Sequence, residues 1–169
     1  MNEISLWWDS YDDIYSDFDS RHYLKRRISE DFVDELRIAF KYKHEQPEAV
    51  SLFLPSAKRN PEIENAITIS IREQLTERRE ILDTKLQKVW LWGVSLSVAG
   101  LLIMLIDSII VYRAGTNYLG ALVKVVMEPA GWFMIWRGLD LLTYDYRRTK
   151  REWRFYMAIE RLHLYFKDT

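Results

Sequence analysis

The sequence predicts a membrane α-helical hairpin of two transmembrane helices, with long cytoplasmic helical extensions and a small α+β cytoplasmic layer. Residues 89–106 contain no charged side chain, and an apolar run of that length is typical of a helix that crosses a bilayer. A second apolar stretch, residues 117–142, follows a short connection. The average composition of the chain conceals this pattern. A length of 169 residues, a net charge of −1 and a hydrophobic content of 49% are typical of one soluble domain.

The residue content argues against an enzyme or a metal protein. The chain has no cysteine, which excludes disulfides, thiolate metal sites and cysteine nucleophiles, and its three histidines do not lie at metal-ligand spacing. The motifs of phosphate-binding loops, dinucleotide-binding turns, serine hydrolases and zinc proteases do not occur in the sequence. We therefore predict no catalytic residue, no metal and no cofactor.

Residues 1–20 form an acidic, aromatic tail. They hold six acidic and no basic side chains, a charge of −6, so the remainder of the chain carries +5. The aromatic residues among these acids are Trp7, Trp8, Tyr11, Tyr15 and Phe18. A secretory signal is excluded, because the tail has neither a basic start nor an apolar stretch. The composition predicts a tail that is disordered or loosely docked and that offers a protein partner an acidic, aromatic contact.

Residues 21–60 are predicted to form a cytoplasmic α+β segment. Ser29 is a typical N-cap for a helix from Glu30 to about Lys43. The apolar run 49–54 has the composition of a short strand, and Pro55 ends it.

A long helix is predicted from Pro61, with Asn60 as its N-cap and the proline in the first helical position. No helix breaker follows before residue 112, so the cytoplasmic part 61–89 continues into transmembrane helix 1, residues 90–112. A seven-residue repeat in the cytoplasmic part indicates a contact with another helix. The residues of this repeat are Leu75, Leu82 and Val89.

Transmembrane helix 1 is long enough, at roughly 34 Å, to cross the hydrocarbon layer with some tilt. It begins and ends with aromatic residues typical of the headgroup boundary, Trp90, Trp92 and Tyr112. Gly93, Ser97 and Gly100 form a stripe of small residues that allows another helix to approach closely. The only charge, Asp107, lies near the far end, where we expect its carboxylate to reach interfacial water.

The second apolar stretch admits two divisions. We prefer residues 113–127 as an external loop and interfacial segment and residues 128–145 as transmembrane helix 2. That division places Glu128 at the helix cap and Pro129 in the first turn. The alternative is a single tilted span over residues 118–142 with a kink at the proline.

The charged residues of this stretch fall on two faces of a helix. Lys124 and Glu128 share one face, while Arg137, Asp140 and Tyr144 share nearly the opposite one. The i,i+3 spacing of Arg137 and Asp140 predicts an ion pair that fixes the register of two helices. The alternative is a role in transport or sensing, which an arginine inside a membrane suggests by default.

Residues 146–169 are predicted to form a cytoplasmic helix and a terminal strand. The helical pattern runs from Leu141 to about Glu160, and the alternation over residues 161–165 indicates a strand that we expect beside residues 49–54. The core that these cytoplasmic parts can build is marginal on its own, so we expect a homo-oligomer.

Basic residues orient the hairpin. Those before the first span are Arg72, Arg78, Arg79, Lys85 and Lys88, and those after the second are Arg147, Arg148, Lys150, Arg151 and Arg154. The connection between the spans offers only Arg113 and Lys124, so both termini are predicted to be cytoplasmic. Beside a bilayer, the basic and aromatic stretch 144–155 favours contact with anionic lipid, and no nucleic acid partner is expected.

The second span also carries a family pattern. Its residues are Gly131-Trp132, then Trp136-Arg137-Gly138-Leu139-Asp140, then Tyr144-Asp145. This pattern resembles that of a family of small, uncharacterised prokaryotic inner-membrane proteins, whose second span carries Gly-Trp, Trp-Arg-Pro-Leu-Glu and Tyr-Asp. Residues 52–55 resemble a second feature of that family, a strand that ends in Leu-Pro ahead of the long helix. Gly138 stands where the family has proline. The resemblance implies two spans in a prokaryotic inner membrane and singles out Trp136, Arg137, Asp140, Tyr144 and Asp145 as a unit.

Two functions from different classes fit these features. The first is a non-enzymatic, homo-oligomeric membrane protein whose hairpin anchors or assembles a cytoplasmic module that binds a partner or senses the membrane. The alternative is an oligomeric pore or transporter lined by charged residues of the second span. The candidate functional or structural residues are Lys124, Glu128, Trp136, Arg137, Asp140, Tyr144 and Asp145.

Overall fold

The computed structural model describes residues 3–16, 18–19, 21–22, 25–42, 47–114 and 118–168. The protein is mostly helical, with one long apolar helix and a small three-stranded parallel sheet. Its elements are β1 (Glu3–Trp7), α1 (Glu30–Tyr42), β2 (Ala49–Leu54), α2 (Pro61–Ala114), α3 (Tyr118–Asp140), α4 (Tyr146–Glu160) and β3 (His163–Asp168). Two compact units divide the chain, the first from residues 1–80 and 154–169 and the second from residues 81–153.

Three parallel strands in the order β1–β2–β3 form the sheet of the first unit. The predicted strand Ala49–Leu54 is confirmed as the central strand, β2, in which Val50 pairs with Ile4 on one side and with Leu164 on the other. Its side chains are mostly buried, as is usual for the central strand of a parallel sheet. The predicted pairing of the terminal strand with β2 is also confirmed, although this strand covers His163–Asp168 and begins two residues later than predicted.

The prediction that the N-terminal tail is disordered or loosely docked is wrong for its described residues. Glu3–Trp7 form the edge strand β1, in which Ile4 is only 1% exposed. The Glu3 carboxylate accepts hydrogen bonds from Lys167 Nζ at 2.9 Å and from Ser51 Oγ at 2.9 Å. The negative charge of Glu3 is therefore balanced by a basic residue far away in the sequence, which composition alone does not reveal.

The helix predicted from Glu30 is confirmed as α1. The Ser29 Oγ accepts a hydrogen bond from the backbone N–H of Phe32 at 3.0 Å, so Ser29 is its N-cap. Phe32 and Leu36, one turn apart, are buried in the core of the first unit. The predicted last residue, Lys43, lies outside the described residues.

The long helix predicted from Pro61 is confirmed as α2, which continues two residues beyond the predicted Tyr112. Asn60 Oδ1 accepts a hydrogen bond from the backbone N–H of Glu62 at 3.0 Å and caps the helix as predicted. The start of α2 belongs to the first unit, where Ile67 is fully buried, and its apolar part belongs to the second unit.

The preferred division of the second apolar stretch predicted that a new helix begins at Glu128. That prediction is wrong, because α3 is one continuous helix from Tyr118 to Asp140 with Pro129 inside it. A proline removes one backbone donor, and the packing of Gly131 against α2 holds the helix immediately beyond it. A π-helical turn, Leu141–Asp145, then joins α3 to α4 without an intervening loop. The helix predicted over residues 141–160 therefore begins with a widened turn that the sequence pattern did not indicate.

Candidate functional site

Helices α2 and α3 approach closely at two pairs of glycines in the second unit. A Cβ atom placed on Gly93 would lie 3.1 Å from the carbonyl oxygen of Gly138, and one placed on Gly138 would lie 2.6 Å from that of Gly93. Gly100 and Gly131 face each other in the same way, with corresponding distances of 2.7 and 3.2 Å. Side chains at these positions would separate the two backbones, so the predicted stripe of small residues is the contact surface between the helices.

The glycine pairs define a register between the two helices. On α2, Gly100 comes seven residues after Gly93. On α3, which runs in the opposite direction, the glycine that faces Gly100 comes seven residues before the one that faces Gly93. The same step places Asp107 of α2 and Lys124 of α3 in the next layer. Asp107 is only 7% exposed, and its Oδ1 has no hydrogen-bond partner among the described residues.

Asp107 is a candidate that sequence reasoning missed. Its carboxylate was expected to reach water, and it is instead buried. The signal that identifies it is its distance of seven residues from Gly100, which continues the spacing between Gly93 and Gly100. Asp107 therefore puts a buried carboxylate in the third position of a repeat whose first two positions are glycines.

Arg137, Asp140 and Asp145 come together at the end of α3. Arg137 Nη1 donates a hydrogen bond to Asp140 Oδ2 at 2.5 Å, which is the ion pair that the i,i+3 spacing predicts. Arg137 Nη2 lies 3.8 Å from Asp145 Oδ2. The π-helical turn allows this second contact. A π-helix has about one more residue per turn than an α-helix, so Asp145 comes to lie on the same face as Arg137. The cluster holds one guanidinium and two carboxylates, and all three side chains are about half exposed.

The other predicted site residues do not join this cluster. Trp136 and Tyr144 are 64% and 75% exposed, respectively. Lys124 and Glu128 are exposed on α3 at a spacing of one turn, and neither forms an ion pair within the described part of the chain. The structure therefore brings together three of the seven predicted residues and leaves the remaining four on open surface.

A second charged cluster lies in the first unit, where β3 ends and α2 begins. Arg59 donates hydrogen bonds to both carboxylate oxygens of Glu64, at 2.8 and 2.9 Å, and to Asp168 Oδ1 at 2.9 Å. Tyr11 Oη donates to Glu64 Oε1 at 2.9 Å. The hydrogen bonds from Arg59 lower the pKa of Glu64 below its ordinary value, although burial acts in the opposite direction. This cluster ties three distant segments together around a carboxylate that stays ionised.

The apolar part of α2 is largely uncovered. The helix Pro61–Arg113 contains an 18-residue window with a mean hydropathy of 2.4, of which 11% is buried. Among the described residues it is the one helix long and apolar enough to cross a membrane, by length and composition. Its exposed large apolar side chains include Trp90, Leu91, Trp92, Val98, Leu101, Leu102, Leu105, Ile106 and Ile109.

Comparison with known proteins gives no match to a family model, to a curated protein or to a solved structure.

Proposed function

We propose that this chain is a non-enzymatic, homo-oligomeric integral membrane protein. In this proposal α2 and α3 form a two-span hairpin in a prokaryotic inner membrane, with both termini in the cytoplasm. The first unit is then a partner-binding or membrane-sensing module that the hairpin anchors and assembles. The observation that carries the proposal is the apolar window of α2, with a mean hydropathy of 2.4 and only 11% of it buried. Such a surface is strongly unfavourable in water and favourable in lipid.

The contact between α2 and α3 supports the second span. Close approach of two helices through small residues is the usual mode of packing in membranes, where no hydrophobic effect drives helices together. Phe133 of α3 is 72% exposed and Trp132 is 48% exposed, so α3 presents large apolar side chains away from the glycine contact. The resemblance of residues 131–145 to the two-span family agrees with this architecture.

The glycine register places Asp107 of α2 and Lys124 of α3 at the same level of the proposed hairpin. A bilayer can accommodate these two charges if they neutralise each other. A buried ionised carboxylate without a partner is costly in hydrocarbon. Lysine has a long, flexible side chain that can bring its ammonium group to a neighbouring carboxylate while its stem stays in an apolar environment. Lys124 is exposed and forms no ion pair among the described residues, and we propose that its side chain turns toward Asp107 when lipid surrounds the two helices.

The orientation follows from the basic residues beside the two spans. Arg147, Arg148, Lys150, Arg151 and Arg154 of α4 and Lys85 and Lys88 of α2 flank the spans on the proposed cytoplasmic side. Basic residues close to the ends of spans favour the cytoplasmic side of a membrane. The rings of Trp7 and Phe18 are exposed in the first unit, and we propose that a protein partner contacts the tail there.

Homo-oligomerisation is supported by two features that a second copy would stabilise. The first unit has a three-stranded sheet whose edge strands, β1 and β3, each lack a neighbour on one side within the described residues. The charged cluster of Arg137, Asp140 and Asp145 is about half exposed at the end of an apolar helix, where a neighbouring copy can cover it.

Membrane extraction and mass measurement test the proposal. After expression of the full chain in bacterial cells, we expect the protein to stay in the membrane pellet through alkaline carbonate washing. In detergent its mass should correspond to two or more chains. Release by carbonate contradicts the membrane location, and a strictly monomeric mass contradicts the assembly.

The absence of native cysteine allows a direct test of orientation with single-cysteine variants. Arg113 follows the first span and is exposed, and Ser56 is exposed in the first unit. In the proposed topology a membrane-impermeant maleimide added to cells with a permeable outer envelope labels Arg113→Cys. The same reagent labels Ser56→Cys only after lysis. Labelling of Ser56→Cys in unlysed cells contradicts a cytoplasmic first unit.

The second candidate function is an oligomeric pore or transporter. One observation favours it, namely that Lys124, Glu128, Arg137 and Asp140 are exposed on a helix that otherwise presents apolar side chains. In an oligomer either Lys124 with Glu128 or Arg137 with Asp140, which lie on nearly opposite faces of the helix, can line a polar path. Ion flux into liposomes that changes with Glu128→Gln or Arg137→Gln supports this function, and absent or unchanged flux contradicts it.

A further inference from the structure

We infer that a groove beside the first turn of the apolar segment of α2 binds a phospholipid with an ethanolamine headgroup. The groove has a volume of about 650 Å³ and lies wholly within the second unit, between α2 and α4. The inference rests on the proposed membrane location, because that location brings the groove to the level of the lipid headgroups.

Each helix contributes one face to the groove. On α2 the lining residues Asp83, Leu86 and Trp90 are three and four residues apart, and on α4 Tyr146, Lys150 and Trp153 have four- and three-residue steps. Such spacings place side chains on a single face of a helix. The result is a groove with an apolar floor at Leu86, aromatic walls and one charged residue from each helix.

The charges match the two ends of a zwitterionic headgroup. Lys150 Nζ lies 5.3 Å from the centre of the Tyr146 ring, which holds the ammonium group at the aromatic wall by a cation–π contact. This ammonium is available to a phosphate oxygen. Asp83 is exposed and forms no ion pair with Lys150 among the described residues, so its carboxylate is available to the ammonium of ethanolamine.

Continuity with the apolar surface identifies a lipid as the occupant. Trp90 lines the groove and also opens the uncovered apolar segment, where it is 53% exposed, and the adjacent Leu91 is 60% exposed. A molecule whose phosphate is at Lys150 can therefore lay an acyl chain along this exposed surface. Tryptophan and tyrosine side chains prefer this boundary between headgroups and hydrocarbon.

Native mass spectrometry of the full chain in a nonionic detergent tests the inference. With phosphatidylethanolamine or phosphatidylglycerol added at equal concentration, we expect preferential retention of phosphatidylethanolamine. Lys150→Gln and Asp83→Asn should each weaken that retention about tenfold, the usual effect of losing one charge-assisted hydrogen bond. Asp83→Asn should also remove the preference for ethanolamine over glycerol.

Arg148→Gln is the matched control, because it removes the same charge from an exposed position two residues away, on a different face of α4. It should leave the retention of phosphatidylethanolamine unchanged. Asp83 is exposed and Lys150 is half-buried, so neither change should affect folding, and matching thermal unfolding curves verify this. Equal retention of both lipids by the unchanged protein overturns the inference. An effect of Arg148→Gln as large as that of Lys150→Gln also overturns it.

The membrane proposal and the lipid inference fail in different experiments. A protein that resists carbonate extraction but shows no ethanolamine preference contradicts the groove alone. A protein that carbonate releases, and that nevertheless retains phosphatidylethanolamine through Lys150 and Asp83, contradicts the integral membrane location alone.

Discussion

Gly100 and Gly131 bring the backbones of α2 and α3 into direct contact. A Cβ atom on Gly100 would lie 2.7 Å from the carbonyl oxygen of Gly131, and one on Gly131 would lie 3.2 Å from the carbonyl oxygen of Gly100. Each backbone thus occupies the space that a side chain of the other would need. The distance between the helices depends on both glycines at once.

Gly100→Leu is expected to push the helices apart, because an inserted side chain in a tightly packed contact costs about 1–3 kcal/mol. The apparent melting temperature of the purified chain in detergent measures this loss. The matched control is Ala130→Leu, since Ala130 precedes Gly131 and is exposed. A loss of the same size in the control variant would show that the glycine contact does not determine stability.

Local signals in the sequence predicted those elements whose ends depend on adjacent residues. Asn60 and Pro61 predicted the first turn of α2 because capping is decided within four residues. Pro55 and the apolar run before it predicted β2 for the same reason. The i,i+3 spacing likewise predicted the Arg137–Asp140 pair, since a helix places those two side chains on one face.

Features that depend on distant partners escaped prediction. The charge of the tail concealed the strand pattern around Ile4, because Lys167, which pairs with Glu3, comes 164 residues after Glu3. The π-helical turn that brings Asp145 to Arg137 has no local sequence signal. Asp107 appeared as an isolated charge, and its burial beside the glycine contact became visible only when the opposing glycines of α3 defined the register.

The ion pair of Glu64 with Arg59 should make the first unit less stable in acid. The folded-state pKa of Glu64 lies below its ordinary value of 4.5, so the pair contributes fully above that pH and is lost as the pH falls below it toward the lowered pKa. Glu64→Gln should reduce the free energy of unfolding at pH 7 by about 2 kcal/mol. It should also flatten the loss of stability as the pH falls below 4.5, because the native pair is lost there as the carboxylate gains its proton.

Urea denaturation of the full chain at a series of pH values measures both effects of Glu64→Gln. Glu62→Gln is the control, because it removes a carboxylate from the same first turn of α2 at an exposed position. The control should retain most of the acid dependence. If Glu64→Gln and the unchanged protein lose stability in parallel on acidification, the Arg59 cluster is not the source of that dependence.

Ile4 should be required for stability because β1 is part of the sheet. This side chain is 1% exposed and lies beside Val50 of the central strand. Ile4→Ala should lower the free energy of unfolding by about 3 kcal/mol, as for other buried aliphatic residues. Trp7→Ala serves as the comparison, since Trp7 lies in the same strand and is 66% exposed, and its effect should be below about 1 kcal/mol. Equal, small effects in urea denaturation would indicate that the tail is not docked in solution.

If α2 and α3 form the proposed hairpin with Asp107 paired to Lys124, the two residues should be able to exchange places. Asp107→Lys or Lys124→Asp alone leaves two like charges in one layer and should cost about 3 kcal/mol in the proposed hairpin, because the site of Asp107 is only 7% exposed and a like charge beside it is unfavourable. The double exchange should restore the hairpin, since the pair is then merely reversed.

Disulfide formation between cysteines at Val111 and Gly120, one turn beyond Asp107 and Lys124 toward the connection between the helices, reports the helix contact in isolated membranes. It should fall in both single variants and recover in the exchanged protein. If disulfide yield stays high in the single variants, or stays low after the exchange, the two charges do not form a pair.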